Sequence, residues 1–260
     1  HLCASALKTI PSSPFCLPVL LWQNSPMTHI GSLNETPLHA AVKNWYAALD
    51  GQSDSDAQTE VAVAGYVIDL VRADGELVEV QTANFGQMRA KLDALLPDYR
   101  VRLVFPVTQE KWIVKVGADG EILSRRKSPK AGRVEALFGE LVSIPHLLAH
   151  PNFCLDVLLV RAEELWRAHD KGGKRGWRRG GWIIHDRRLL EVVGRHSFTE
   201  PSQLAALLPD DLPNPFTTTD LSACARLQHR LAGQMAYCLR EMGQIQAQGK
   251  QGNSWLYARR

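Results

Sequence analysis

Paired cysteine spacing is missing from this chain. Its five cysteines, Cys3, Cys16, Cys154, Cys224 and Cys238, form no Cys-x-x-Cys and have no partnered histidines. That argues against structural zinc and a disulfide framework, and for a reducing compartment. The nine histidines are scattered, and His146, His150, His185 and His196 suit structural or surface roles better than a ligand cluster. There is no Walker motif, no G-x-S-x-G and no dinucleotide fingerprint, so the usual signatures of P-loop, serine-hydrolase and Rossmann chemistry are lacking. Residues 15–22, FCLPVLLW, are apolar but far too short to span a bilayer, and they lack the flanks of a signal peptide. No membrane association and a cytoplasmic location are expected. A strong charge of either sign is also missing. The net charge is +3, so any affinity for a polyanion must come from local patches.

What is present is an ordinary globular composition, 45% hydrophobic and 22% charged over 260 residues, enough for one large domain or two small ones. Residues 1–26, ahead of Met27, are expected to be a disordered or misassigned extension.

The most informative segment is 65–82, GYVIDLVRADGELVEVQT. Two β-branched runs flank Ala73-Asp74-Gly75, a three-residue hairpin loop whose glycine can be left-handed. With that loop Arg72 pairs with Glu76, and counting outward places Asp69 opposite Glu79, about 4.5–5.5 Å apart. Alternation then puts Gln81 on the face of Glu79, with Val67, Val71 and Leu77, and Ile68, Leu70, Val78 and Val80 on the other. Opposed like charges among valines are destabilising unless something positive lies between them. A divalent metal fits that role, and a solvated surface pair is the alternative.

After the hairpin, Phe85, Met88, Leu92, Leu95 and Leu96 recur at helical spacing from an Asn84 cap to Pro97. Lys91 lies on or beside that stripe, either snorkelling to solvent or reaching over the acidic face to a phosphate or an attacking water. Two strands follow, at 100–107 and 111–116. Upstream, 38–49 reads as an amphipathic helix with Leu38, Val42, Trp45 and Leu49 inward.

Helix, strand, hairpin, helix and strand in this order, with the acids on the hairpin, resemble the PD-(D/E)XK nuclease superfamily over about residues 33–118. The resemblance implies a restriction-endonuclease-like αβββαβ core in an α/β fold. Asp69 matches its second-strand aspartate, and Glu79-Val80-Gln81 matches its E-x-K element. The first-helix glutamate is matched best by Glu35 and less well by Glu60. It implies that Asp69, Glu79 and the Val80 carbonyl hold Mg²⁺ or Mn²⁺. Gln81 stands where the family has its lysine. It can hydrogen-bond a water but carries no charge. Some members are thought to place the lysine on the following helix, where Lys91 lies. The implied activity is metal-dependent hydrolysis of DNA phosphodiesters. A non-catalytic DNA-binding regulator with a degenerate core is the alternative, and a protein-interaction adaptor is a third. The whole chain also resembles an uncharacterised prokaryotic family that joins such a core to a C-terminal winged helix.

Two basic patches could contact phosphates. One is 124–133, with Arg125, Arg126, Lys127 and Lys130. The other is 171–179, with Lys174, Arg175, Arg178 and Arg179 around Trp177. A helix is expected over 133–148, and strands at 153–161 and 181–193 bracket the second patch, either extending the sheet or forming a connecting module. From Thr199, helices at 201–208, 219–225 and 228–242 and a hairpin tipped at 249–253 follow the winged-helix order. Gln228, His229, Arg230 and Gln234 would then face DNA, with Arg240 nearer the far end and Lys250 on the wing. The expected organisation is a core over 27–120, a basic linker, helix and hairpin over 121–197, and a winged-helix module over 198–260. DNA is the expected partner, with homodimerisation left open.

Overall fold

A computed structural model of the chain describes residues 36–49, 58–168 and 181–260. Helix α1 (Pro37–Ala48) opens on Thr36, whose side chain accepts the His39 amide, with Pro37 preset for the first turn. Its buried stripe runs Leu38, Val42, Tyr46, the i, i+4, i+8 spacing of one helix face. Tyr46 therefore takes the inward place expected of Trp45 and Leu49, and Leu49 is exposed.

Strands β1 (Gln58–Val63), β2 (Tyr66–Val71) and β3 (Leu77–Val80) form an antiparallel meander. The β2–β3 turn closes as expected. The Arg72 amide donates to the Glu76 carbonyl at 3.0 Å, and Gly75 is left-handed at φ +79°. A 3₁₀ turn (Phe85–Met88) leads into α2 (Arg89–Leu95), which crosses to β4 (Val101–Val116). Asn84 occupies the cap position of the 3₁₀ turn, but at φ +60° and with no side-chain capping bond, in the left-handed region that asparagine tolerates.

β4 is one 16-residue strand rather than two. A register shift between Thr108 and Glu110 absorbs the break in its apolar pattern. Its first half pairs with β3 in parallel, and its second half pairs antiparallel with β5 (Ile122–Lys127). Pro106 falls between these two partners, where its missing N–H interrupts neither ladder.

The expected 133–148 helix is instead a 3₁₀ turn (Val134–Leu137), a single turn α3 (Phe138–Leu141) and a second 3₁₀ turn (Pro145–Ala149). Pro145 cannot continue the helix, so the chain restarts there. Strands β6 (Phe153–Ala168) and β7 (Trp182–Phe198) complete a mixed seven-stranded sheet of order β1-β2-β3-β4-β6-β7, with β5 beside β4. The 153–198 hairpin thus joins the main sheet. The fold is α/β.

The sheet buries both faces. One, with Leu77, Leu103 and Leu155, packs on α2, α3 and the C-terminal elements; the other, with Leu70, Val78, Val80 and Leu158, lies under α1. The C-terminal segment comprises α4 (Pro201–Ala205), α5 (Thr218–Cys224), α6 (His229–Glu241) and a hairpin of β8 (Ile245–Gln251) and β9 (Ser254–Arg259). Capping boxes at Glu200/Gln203 and Thr217/Asp220 start the first two helices. Met235, Cys238 and Leu239 of α6 belong to the same continuous core as the sheet.

Candidate functional site

The two carboxylates sit where the sheet is interrupted. β1 pairs with β2 on both sides of Asp69, but its Glu60 partner is left-handed at φ +56° and makes no ladder pair. On the other side, the β2–β3 ladder ends at Leu70↔Val78. Backbone groups left over at this split must find other partners, and the carboxylates supply them. The Asp69 amide donates to Glu79 Oε1 at 3.3 Å, and the Val80 amide donates to Asp69 Oδ2 at 2.8 Å. The same irregularity sends Ile68 into the larger core rather than alongside Leu70, as strict alternation predicts, and leaves Val67 exposed.

Two basic side chains close on the pair from opposite sides of the sheet. From α2, Lys91 Nζ donates to Glu79 Oε1 and to the Val67 carbonyl, both at 2.6 Å. From α1, His39 Nε2 lies 3.2 Å from Asp69 Oδ2. Every one of these bonds falls on a single oxygen of each acid. Among the described residues, Asp69 Oδ1 and Glu79 Oε2 have no hydrogen-bond partner.

The two acids are driven apart electrostatically. Burial raises the Asp69 carboxyl, but the bonds from His39 and Val80 and the field of Lys91 outweigh it and hold Asp69 below the usual range. Burial pushes Glu79 up, with Asp69 adding to the effect and Lys91 opposing it. Its side chain is only 6% exposed.

Asp69, Glu79 and Lys91 are therefore brought together. Gln81 is not turned toward them: its side-chain amide donates to the Ala83 carbonyl, and its backbone N–H donates to Val104 at 2.9 Å. Glu60 is instead paired with Lys43 at 3.3 Å. Glu35 lies outside the described residues. His39 was not singled out by sequence reasoning. The available signal was its place one residue after a buried leucine in the first turn of an amphipathic helix, which is weak. Among the described residues, no group of three or more His, Cys, Asp and Glu side chains is arranged to hold a metal ion. The donors this pair could offer a cation are two carboxylate oxygens, Asp69 Oδ1 and Glu79 Oε2. That suits Mg²⁺, which is often held by one or two carboxylates and otherwise by water and substrate phosphates.

A second polar cluster, also missed from sequence, lies under α1. Arg102 grips Glu76 with two bonds, of 2.8 and 3.0 Å, and reaches Asp156 at 2.9 Å. Asp156 is fully buried, and it also accepts from Arg195 at 2.7 Å and from the Tyr46 hydroxyl. Burial raises Asp156, but the Tyr46 bond and the two guanidiniums hold it below the usual carboxylate range. This cluster uses its charges internally and stitches α1 to the sheet.

The sequence profile of a domain family described as a domain of unknown function (DUF8091) matches residues 36–199. The chain belongs to this family. The DUF8091 span runs from the cap of α1 through β7, so it contains His39, Asp69, Glu79, Lys91 and the Arg102 cluster, and it ends before α4. A relative, an uncharacterized protein of Treponema pallidum (strain Nichols), is 32% identical over 229 residues, covering 88% of this chain and 86% of its own length. No solved structure matches the chain.

The basic residues fare unevenly. Arg125 pairs with Glu163 at 2.8 Å and Lys127 with Glu110 at 3.0 Å, and both cations lie over the Trp112 ring. Arg126 and Lys130 are exposed. Lys174, Arg175, Trp177, Arg178 and Arg179 lie outside the described residues. On α6, His229 and Arg230 are exposed, as is Gln228 at its cap, whereas Gln234 is half-buried and donates to the Gly139 carbonyl at 3.4 Å. That contact turns Gln234 toward the protein rather than outward. Arg240 pairs with Glu241, and Lys250 lies 4.8 Å from the centre of the exposed Trp255 ring. No helix among the described residues is long and apolar enough to cross a membrane.

Proposed function

We propose that this DUF8091 protein is a metal-dependent phosphodiesterase acting on DNA, with a nuclease-like αβββαβ core and a C-terminal winged helix. One observation carries the reading. Asp69 and Glu79 are each held through one oxygen, leaving Oδ1 and Oε2 without a partner among the described residues. Mg²⁺ or Mn²⁺ would be held by these two oxygens, with the Val80 carbonyl as a further donor, and would supply Lewis-acid polarisation of a phosphate. Lys91 would do the work that the resemblance assigns to a lysine at 81. Its ammonium has three donors and spends two on Glu79 and Val67, leaving one to stabilise charge on a phosphoryl oxygen. Gln81 would reach a water only by releasing the Ala83 carbonyl.

DNA would be contacted by Gln228, Arg230 and the Lys250–Trp255 pair of the C-terminal hairpin, and by Arg126 and Lys130 on the core. The test is nicking of duplex and branched DNA in Mg²⁺; activity that survives Asp69→Asn or Glu79→Gln removes the assignment. The Gln81 side chain, uncharged and satisfied by Ala83, favours a second reading, a DNA-binding regulator that does not cleave. That reading predicts tight DNA binding in EDTA and no cleavage with any divalent cation.

A further inference from the structure

Three side chains one turn apart tie α1 to the sheet: His39 to Asp69, Lys43 to Glu60 and Tyr46 to Asp156. Tyr46 ends in the buried Arg102 cluster, and Lys43 ends on a carboxylate that is 53% exposed. His39 alone ends on the acid pair. Its side chain and that of Asp69 are about one-fifth exposed, at 21% and 22%. A cleft of about 430 Å³ lies beside this turn, lined by Thr36, Leu38, Thr82, His185 and Arg187 among others.

We infer that His39 is the positioning residue of the metal site, acting through Asp69; this rests on the metal-dependent reading above. Asp69 Oδ2 accepts two bonds, one from the Val80 amide at 2.8 Å and one from His39 Nε2 at 3.2 Å. Val80 belongs to β3, and His39 belongs to α1 on the far side of the sheet. Two donors from different elements, converging on one oxygen, fix both the rotamer of Asp69 and the identity of its remaining oxygen. With Oδ2 committed, Oδ1 is the oxygen left for a cation. Were His39 a plain anchor for α1, it would duplicate the work of Tyr46, whose buried bonds already hold the helix to the sheet. Its particular consequence is the orientation of Asp69, and outer groups that orient a ligand typically change metal affinity by about 10–100-fold when removed.

The nitrogen that makes the contact sharpens the test. Gln places an amide nitrogen near the position of His Nε2, whereas Asn places one near Nδ1. Mn²⁺ binding to the full-length chain, followed by electron paramagnetic resonance, is compared for wild type, His39→Gln, His39→Asn and His39→Ala, with Tyr46→Phe as a variant that loosens α1 at its other end. The expected result is about 10–100-fold weaker Mn²⁺ binding for His39→Ala and His39→Asn, and near-native affinity for His39→Gln. Tyr46→Phe should lower the melting temperature while leaving Mn²⁺ affinity unchanged. Native affinity in a folded His39→Ala or His39→Asn protein overturns the role of His39 alone. If His39→Ala fails to fold, the Gln and Asn pair still decides, because equal affinities in those two contradict the inference. No Mn²⁺ binding by the wild type overturns the metal reading itself, and the role of His39 with it.

Discussion

Lys91 Nζ lies 2.6 Å from Glu79 Oε1, joining the helix after the hairpin to a carboxylate that is nearly closed to solvent. An ammonium so placed opposes the rise that burial imposes on Glu79. Lys91→Met removes that opposition, so the folded carboxyl rises further and the native state binds more protons than the unfolded chain. Stability then falls as pH rises. The difference in urea midpoint between Lys91→Met and wild type should be small at pH 5 and larger at pH 8. In the nicking assay the same variant should lose about 10²–10³-fold in rate, the scale of removing one positioned donor.

The Arg102 cluster predicts a different pH signature. Asp156→Asn leaves Arg102 held by the Glu76 carboxylate, and Arg102→Met leaves Asp156 to Arg195 and Tyr46. Stripping a buried charge of its only partner typically costs about 3–5 kcal/mol. Each variant keeps partners and should lose less than that, which chemical denaturation at pH 7 measures. Asp156 is held below its usual range, so its contribution is present above the unfolded carboxylate range and is lost as pH falls through the folded value. The gap between Asp156→Asn and wild type should therefore narrow only in strong acid.

Cys154 and Cys238 are free and buried, and burial pushes both thiols up to about 12. Alkylation depends on the thiolate and on access. In the native protein at pH 8 both should resist iodoacetamide, read by peptide mass spectrometry, and both should label at once in denaturant. Cys224, half-buried, should label earlier than either.

The C-terminal hairpin gives a salt-dependent prediction. If Lys250 contacts one phosphate, Lys250→Ala should weaken duplex binding across sequences and reduce the slope of log K against log salt by about 1. Fluorescence anisotropy over a salt series checks it, and an unchanged slope removes Lys250 from the interface.

The hairpin was readable from sequence because its register is local. A three-residue loop with a left-handed glycine sets Arg72 against Glu76, and counting outward gives the pairs as far as Leu70↔Val78; the next pair expected, Asp69 with Glu79, lies beyond the end of the ladder. Lys91 was readable because helical spacing places it beside Leu92 and Leu95. His39 was not, because its meeting with Asp69 depends on how α1 lies across the sheet. Arg102, Glu76 and Asp156 come from three strands, and no local pattern announces their convergence. The left-handed Glu60 that interrupts β1 has no glycine or asparagine to betray it, so the break in alternation at Asp69 was hidden too. In the 133–148 segment, helical periodicity was present but Pro145 and short 3₁₀ turns divided it.

In the function proposed, Asp69 and Glu79 would hold the divalent cation needed for hydrolysis of DNA phosphodiesters. Nicking of supercoiled plasmid, in Mg²⁺ and in EDTA, with wild type, Asp69→Asn and Glu79→Gln side by side, addresses it most directly. The account predicts cleavage by wild type in Mg²⁺ only, lost in both variants. Cleavage that persists in either variant, or no cleavage by wild type with Mg²⁺ or Mn²⁺, would contradict it.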